Sequence, residues 1–345
     1  MTPRQLLVIA ALLVGLTGVA VVARKTETSG ERLTDRAMAF LASLKPEQKP
    51  RAAFAFDDPE RFHWWFTPQQ KAGKPTRKGL PLEDMSDEQK KIALEMLAAG
   101  TSDTGFKRAT TIMGLENLLL DLEKGKGPVR NVGWYFVSVF GTPSKTGKWG
   151  CRIEGHHLSL SFTVDSGRII SATPNVFASN PAEIMAGKRK GERPLGETID
   201  QYRAMLAALT KEQQTIAKQP KLFPEIKENE SKPSVGAPVG LSADKMTEAQ
   251  QTVLWKLIEA YAGRMPTDVA TAEMNRIKEA GISKVTFAYG GGDAAVAGIP
   301  YSYRIQGPTF LIEFLNEQGD SAKNPANHIH SAWRTIGGDF GIASR

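Results

Sequence analysis

The sequence predicts an α+β protein made of two copies of a helix–helix–strand–strand unit, with antiparallel strands in the core and helices packed outside. Three observations carry that expectation. Residues 79–89 read GLPLEDMSDEQ and residues 240–250 read GLSADKMTEAQ, so Gly, Leu, Met and Gln recur in register and Ser86 is matched by Thr247. Residues 152–162, RIEGHHLSLSF, align with residues 304–314, RIQGPTFLIEF; Arg, Ile, Gly and Phe coincide and Glu154 stands opposite Gln306. The anchors keep their order at similar spacing, 67 residues from Met85 to Arg152 and 58 from Met246 to Arg304. Ordered matches of this kind mark an internal repeat, here with units of roughly 80–90 residues.

Each element follows from its residues. After Met85 and Met246, Ser86 and Thr247 precede a run with Glu and Gln and read as helix N-caps. Ile92, Met96 and Leu97 match Val253, Leu257 and Ile258, giving each helix an apolar face at helical spacing. Working back from the strands without gaps, Trp149 matches Tyr301 and Tyr135 matches Phe287. Residues 218–239 hold Pro220, Pro224, Pro233 and Pro238 among charged residues, the composition of a linker or surface crossing. The expected organisation is therefore an N-terminal extension over 26–78, a first unit with a following strand and helix over 79–217, the linker over 218–239 and a second unit over 240–345.

The beginning of the chain predicts export. Arg4 precedes an uncharged run of 18 residues from Leu6 to Ala23, and Arg24 and Lys25 follow it. Residues 1–25 thus read as a cleaved signal or an uncleaved membrane anchor, and any membrane association is expected through this segment alone. Cys151 is the single cysteine, so no internal disulfide and no thiolate metal cluster can form. The net charge of +7 is spread along the chain, and its densest cluster, Lys188, Arg189, Lys190 and Arg193, lies in a loop-like stretch. No nucleic-acid-binding signature accompanies it, so a small-molecule or short-polymer substrate is the expected partner.

Four of the five histidines fall in two strand-like segments, His156 and His157 in the first and His328 and His330 in ANHIHSAWR. Alternate residues of a strand face one way, so His328 and His330 can reach one ion while Ile329 packs behind. A further ligand comes from His156 or His157, between which strand alternation does not choose unless Gly155 introduces a bulge. Histidine with carboxylate suits a divalent metal, zinc among the candidates. In that reading Glu154 is a fourth ligand or general base, and Arg304 or Arg334 steadies developing negative charge. Gln306, Glu313 and Asp339 are candidates for holding substrate; Arg304 and Gln306 share a face of the strand from Ile305 to Phe314, and Glu313 is expected on the other. The same groups also suit a metal-free pocket or a buried network that only fixes packing. Phe62-His63-Trp64-Trp65-Phe66 either packs the N-terminal extension onto the body or stacks on a ligand at a pocket rim.

EGHHLSLSF, Thr173-Pro174, Asn180-Pro181-Ala182, RIQGP with Phe310 and Glu313, and ANHIHSAWR with Asp339-Phe340-Gly341 together resemble the family called domain of unknown function 3500. The resemblance covers most of the chain after the export segment and implies boundaries and motif positions, but no reaction. Gly-x-Ser-x-Gly and His-Glu-x-x-His are both absent from the sequence. The expectation is an exported metal-dependent enzyme, a hydrolase in the first place; the alternative is an exported metal-free binding protein for a sugar, peptide or organic acid.

Overall fold

The structure, a computed structural model, describes residues 27–292 and 296–342. The apolar run 6–23 lies outside the described residues. The chain is mixed α and β, with one large and mostly antiparallel sheet. Its helices of seven residues or more are α1 (Ser29–Ser43), α2 (Asp87–Ala99), α3 (Asp103–Met113), α4 (Leu115–Glu123), α5 (Gly196–Ala208), α6 (Lys211–Ala217), α7 (Glu248–Ala262) and α8 (Thr267–Ala280). The strands are β1 (Ala53–Phe54), β2 (Gln70–Lys71), β3 (Lys74–Pro75), β4 (Leu80–Pro81), β5 (Phe136–Phe140), β6 (Lys148–Gly155), β7 (Leu158–Asp165) and β8 (Arg168–Ser171). They continue with β9 (Asn175–Phe177), β10 (Lys218–Gln219), β11 (Leu241–Ser242), β12 (Thr286–Gly291), β13 (Tyr301–Gln306), β14 (Phe310–Gln318) and β15 (His328–Thr335).

The main sheet runs β1-β5-β6-β7-β9-β15-β14-β13-β12-β10, with β4 added to β5, β11 to β12 and β8 to β7. Its two wings have the same internal registers. Val137 pairs with Ile153 and Ile153 with Leu160 in one wing; Phe287 pairs with Ile305 and Ile305 with Ile312 in the other. Leu80 pairs with Val137 as Leu241 pairs with Phe287. The position equivalent to Phe287 is therefore Val137, two residues beyond the Tyr135 expected from a gapless match.

The helix starts agree as well. Ser86 and Gln89 form a reciprocal capping box, and so do Thr247 and Gln250. Both glutamines are buried, so their amide groups need partners. Gln89 donates to the Ser43 carbonyl and to Gln48, while Gln48 donates to the Asp84 carbonyl. Gln250 donates to the Ala208 carbonyl and to Gln213, while Gln213 donates to the Lys245 carbonyl. This exchange ties α1 to α2 in one half and α5 to α7 in the other, so each helix pair outside the sheet is fastened alike.

Strand alternation sorts the sheet into two faces. Trp149, Ile153, Leu160, Tyr303, Ile312 and Trp333 point to the helices and form the main core. Arg152, Glu154, Ser159, Arg304, Gln306, Glu313 and Arg334 occupy the opposite face, yet all are buried. Two irregular straps cover them. In the N-terminal strap, the Glu60 carbonyl accepts from Arg152 Nη1 at 2.8 Å, and the Trp65 amide donates to Glu154 Oε2 at 2.9 Å. Residues 220–239 form the second strap, where carbonyls of Val235, Gly236 and Glu230 accept from Arg304, Gln306 and Arg334. The proline-rich stretch is thus no free linker; it begins as β10 and roofs the polar face. Trp64 and Phe66 pack beneath the straps with Val176, Ile226, Ala332 and Phe340 as a second core.

Two segments read as single strands are hairpins. Residues 152–162 fold back at His156-His157, and residues 304–314 fold back after Gln306. The turn resets the alternation, which places Glu313 directly across from Arg304 on the same face rather than on the other one. The two side chains pair at 3.2 Å.

Candidate metal centre

The centre is built from the turn that joins β6 to β7. Gly155 pairs in register with Leu158, so no bulge is present and His156 and His157 are the two turn residues. His157 has a φ of 64°, a left-handed conformation that non-glycine residues adopt mainly in turns. The Gly155 position has a different purpose from the expected bulge: a Cβ there would lie 2.4 Å from Tyr135 Cδ1 and 2.8 Å from the Trp134 carbonyl. Three hydrogen bonds hold the turn. The His157 amide donates to the Phe66 carbonyl at 2.7 Å, the Ala178 amide donates to the His157 carbonyl at 2.9 Å, and Tyr135 Oη donates to the His156 carbonyl at 2.8 Å. Freed from strand alternation, the two imidazoles lie side by side with ring centroids 3.7 Å apart.

Sheet register brings the second motif to the same place. β9 pairs with both β7 and β15, aligning Ser159, Val176 and Ala332 in one row. Two residues further along on the same face come His157, Ala178 and His330. Ala178, small and fully buried, leaves room between the two rings. His328 follows on β15 at strand spacing and is half-buried.

His157, His328 and His330 converge through Nε2. His328 Nε2 lies 2.9 Å from His157 Nε2 and 3.1 Å from His330 Nε2. One ligand atom from each of the three fits within 4.8 Å of the others. His330 Nδ1 is 2.7 Å from Glu225 Oε2. A carboxylate oxygen accepts, so His330 carries its proton on Nδ1 and turns the Nε2 lone pair inward. Burial, then the neighbouring His156, His328 and His330, hold the His157 ring well below the ordinary imidazole value. Burial also lowers His328 to about 2, helped by His330, His156 and Arg130. These two rings are therefore neutral at pH 7, the protonation state a metal needs.

The remaining expected residues are placed as follows. His156 does not share the Nε2 cluster; its Nδ1 pairs with Glu116 and its ring faces Arg130, whose Nη1 is 3.1 Å from Nδ1 and 3.4 Å from Nε2. Glu154 Oε2 accepts from the Trp65 amide of the strap and from Ser159 Oγ, and Oε1 lies 3.2 Å from Arg152 Nε. Arg304 pairs with Glu313, and Gln306 donates to the Gly236 carbonyl. Arg334 and Asp339 form a fully buried ion pair beneath Trp64. Arg304, Glu313 and Arg334 floor a cleft under the second strap, and Glu225 lines the same cleft.

Three contributors carry no motif. Glu116 and Glu123 are seven residues apart on α4, and that spacing returns to the same helix face. Glu123 grips Arg130 by Nε and Nη2 at 2.8 and 2.7 Å. Glu225 comes from the proline-rich strap, where charge looked like solvation. The hints lay in composition: an acid beside Pro224, and two acids on one face of a short helix.

Fold and site together define an α+β sheet protein with a three-histidine cluster, carried by a hairpin turn and the strand two places away. Residues 26–342 match the family described as Protein of unknown function (DUF3500), and the chain belongs to that family. No curated protein and no solved structure matches it.

Proposed function

We propose that the chain is an exported metal-dependent enzyme of the hydrolase class, with a single divalent ion, zinc in the first place, held by His157, His328 and His330. The observation that carries the reading is the convergence of three Nε2 atoms while His330 Nδ1 is engaged by Glu225. Ring nitrogens that face one point at this spacing can share one cation once their lone pairs turn toward it. A tetrahedral ion with bonds of about 2.0–2.1 Å places ligand nitrogens about 3.3 Å apart; His328 Nε2 lies 2.9 and 3.1 Å from the other two, and the three ligand atoms lie within 4.8 Å of one another. The carboxylate–histidine contact is the usual support of a metal-bound imidazole. A three-ligand set leaves a coordination position for substrate or water, and an ion there supplies Lewis acidity and an activated water for hydrolysis. Glu116 and Arg130 press His156 against His157, and so set the orientation of that ligand ring.

Two further readings accompany this one. The paired registers and the twofold glutamine exchange support descent of both halves from one duplicated unit, reaching back to include α1 and α5. In that scheme His156 and His157 replace the turn that Pro308 and Thr309 form in the other copy, so one of two equivalent turns carries the chemistry. Export rests on the sequence of residues 1–25. Among the described residues no helix is long and apolar enough to cross a membrane. Elemental analysis of purified protein, alongside a His328→Ala variant, tests the metal. One equivalent of a divalent metal in the parent and loss in the variant is the expected result; metal-free protein after growth with zinc would refute it. N-terminal sequencing of material from the native host tests export.

A further inference from the structure

We infer that the cleft under the second strap is a binding site for a small neutral polyhydroxylated ring, a monosaccharide or cyclic polyol. The cleft has a volume of about 290 Å³. That is at the lower end of the roughly 300–1,000 Å³ usual for small-molecule pockets, so it takes one ring and not an extended chain. Its walls are of two kinds. Pro224, Pro233 and Val235 offer an apolar side, against which the C–H face of a ring can lie. Arg304, Glu313 and Arg334 on the sheet, with Glu230 on the strap, offer a polar side.

The charges on the polar side are already compensated. Arg304 pairs with Glu313 at 3.2 Å, Arg334 pairs with Asp339, and the Glu230 carboxylate lies 3.6 Å from Lys227 Nζ. A charged ligand would bring a charge for which no counterion waits, into a place where burial makes charge costly. Single hydrogen-bonding valences are what is left over. Arg304 Nε, on a side chain 8% exposed, and Glu230 Oε2 are buried and have no hydrogen-bond partner among the described residues. Buried polar groups ordinarily have one. Arg304 Nη2 donates to Glu313 and Nη1 to the Val235 carbonyl, so the Nε–Nη2 edge that would seat a carboxylate at two points is already broken. One N–H and one carboxylate oxygen instead match hydroxyl groups, each of which both accepts and donates. Glu225 lines the same cleft 2.7 Å from His330 Nδ1, so the site reaches to within one side chain of the histidine cluster.

Titration calorimetry on the purified protein tests the inference, with glucose, galactose, mannose and inositol as neutral probes and glucuronate and glucosamine as charged counterparts. At least one neutral ring is expected to bind with a Kd of about 1 mM or tighter, and each charged counterpart more weakly. Glu230→Ala keeps the Glu230 carbonyl that accepts from Arg334, and Arg304→Lys keeps a charge beside Glu313 while losing Nε. Each should weaken binding of that ring about tenfold. No binding by any neutral ring overturns the inference, as does tighter binding of a charged one or unchanged affinity in either folded variant. If Arg304→Lys does not fold, Glu230→Ala decides alone. The inference does not depend on an ion: elemental analysis decides the metal and calorimetry the cleft, so either can fail by itself.

Discussion

Glu225 offers the sharpest test of the proposed centre, because it lies on a strap and would act on an ion only through His330. Glu225→Ala removes an acceptor 2.7 Å from His330 Nδ1 and leaves the three Nε2 atoms in place. Loss of such a supporting group ordinarily weakens metal binding by about 10–100-fold. The lower end applies here, since the Glu225 side chain is 41% exposed and water can take over as acceptor. We therefore expect zinc to bind about tenfold more weakly, or about 1.4 kcal/mol. Glu225→Gln keeps an oxygen acceptor and should lose less. His330→Ala, which removes a ligand, should lose more. Competition against a chromophoric chelator at fixed pH measures all three, with thermal melting of the metal-free proteins as the check on folding. Zinc affinity unchanged in Glu225→Ala would refute the supporting role, and with it the inward tautomer assigned to His330.

Other outcomes follow from packing. Asp339→Ala strands Arg334 in a fully buried site and should cost about 3–5 kcal/mol in urea unfolding, with metal stoichiometry retained in the folded fraction. Gly155→Ala should both destabilise the chain and weaken metal binding, because the new Cβ collides with Tyr135 and the Trp134 carbonyl at the turn that carries His157; an unchanged melting temperature would contradict this. Cys151 is 2% exposed, and burial pushes its thiol pKa far above the ordinary range. Thiol reagents should therefore label the native chain only as fast as it unfolds, and rapid labelling without denaturant would show that the sheet opens there.

The parts of the fold visible in advance were those that depend on local pattern. Helical spacing and caps at Ser86 and Thr247 read directly from the chain, as did the repeated Arg-Ile-x-Gly anchors. The hairpin turns did not, because apolar residues alternate in Leu158-Ser159-Leu160-Ser161 just as they would in an unbroken strand. Missing the turn at His156-His157 made the choice between these two look like a question of parity, whereas both rings leave the strand together. The same error put Glu313 on the wrong face. Gln48 and Gln213 went unnoticed although LKPEQ (44–48) and LTKEQ (209–213) share Leu, Glu and Gln in register, because so short a match gains meaning only from the carbonyls the two glutamines reach. Glu116 and Glu225 were invisible for a related reason, since a single acid has no periodicity and acquires meaning only from what folds against it.

The ends of the sheet bear on how the protein behaves at high concentration. Each wing finishes in a parallel strand of two residues, Ala53–Phe54 at one end and Lys218–Gln219 at the other. A row of unpaired backbone groups is what lets one chain template another, and two residues are too few to nucleate such growth. So wide a sheet would otherwise be a standing invitation to polymerise. By stopping each wing short, the chain keeps the breadth that unites its distant histidines while denying a foothold to its neighbours.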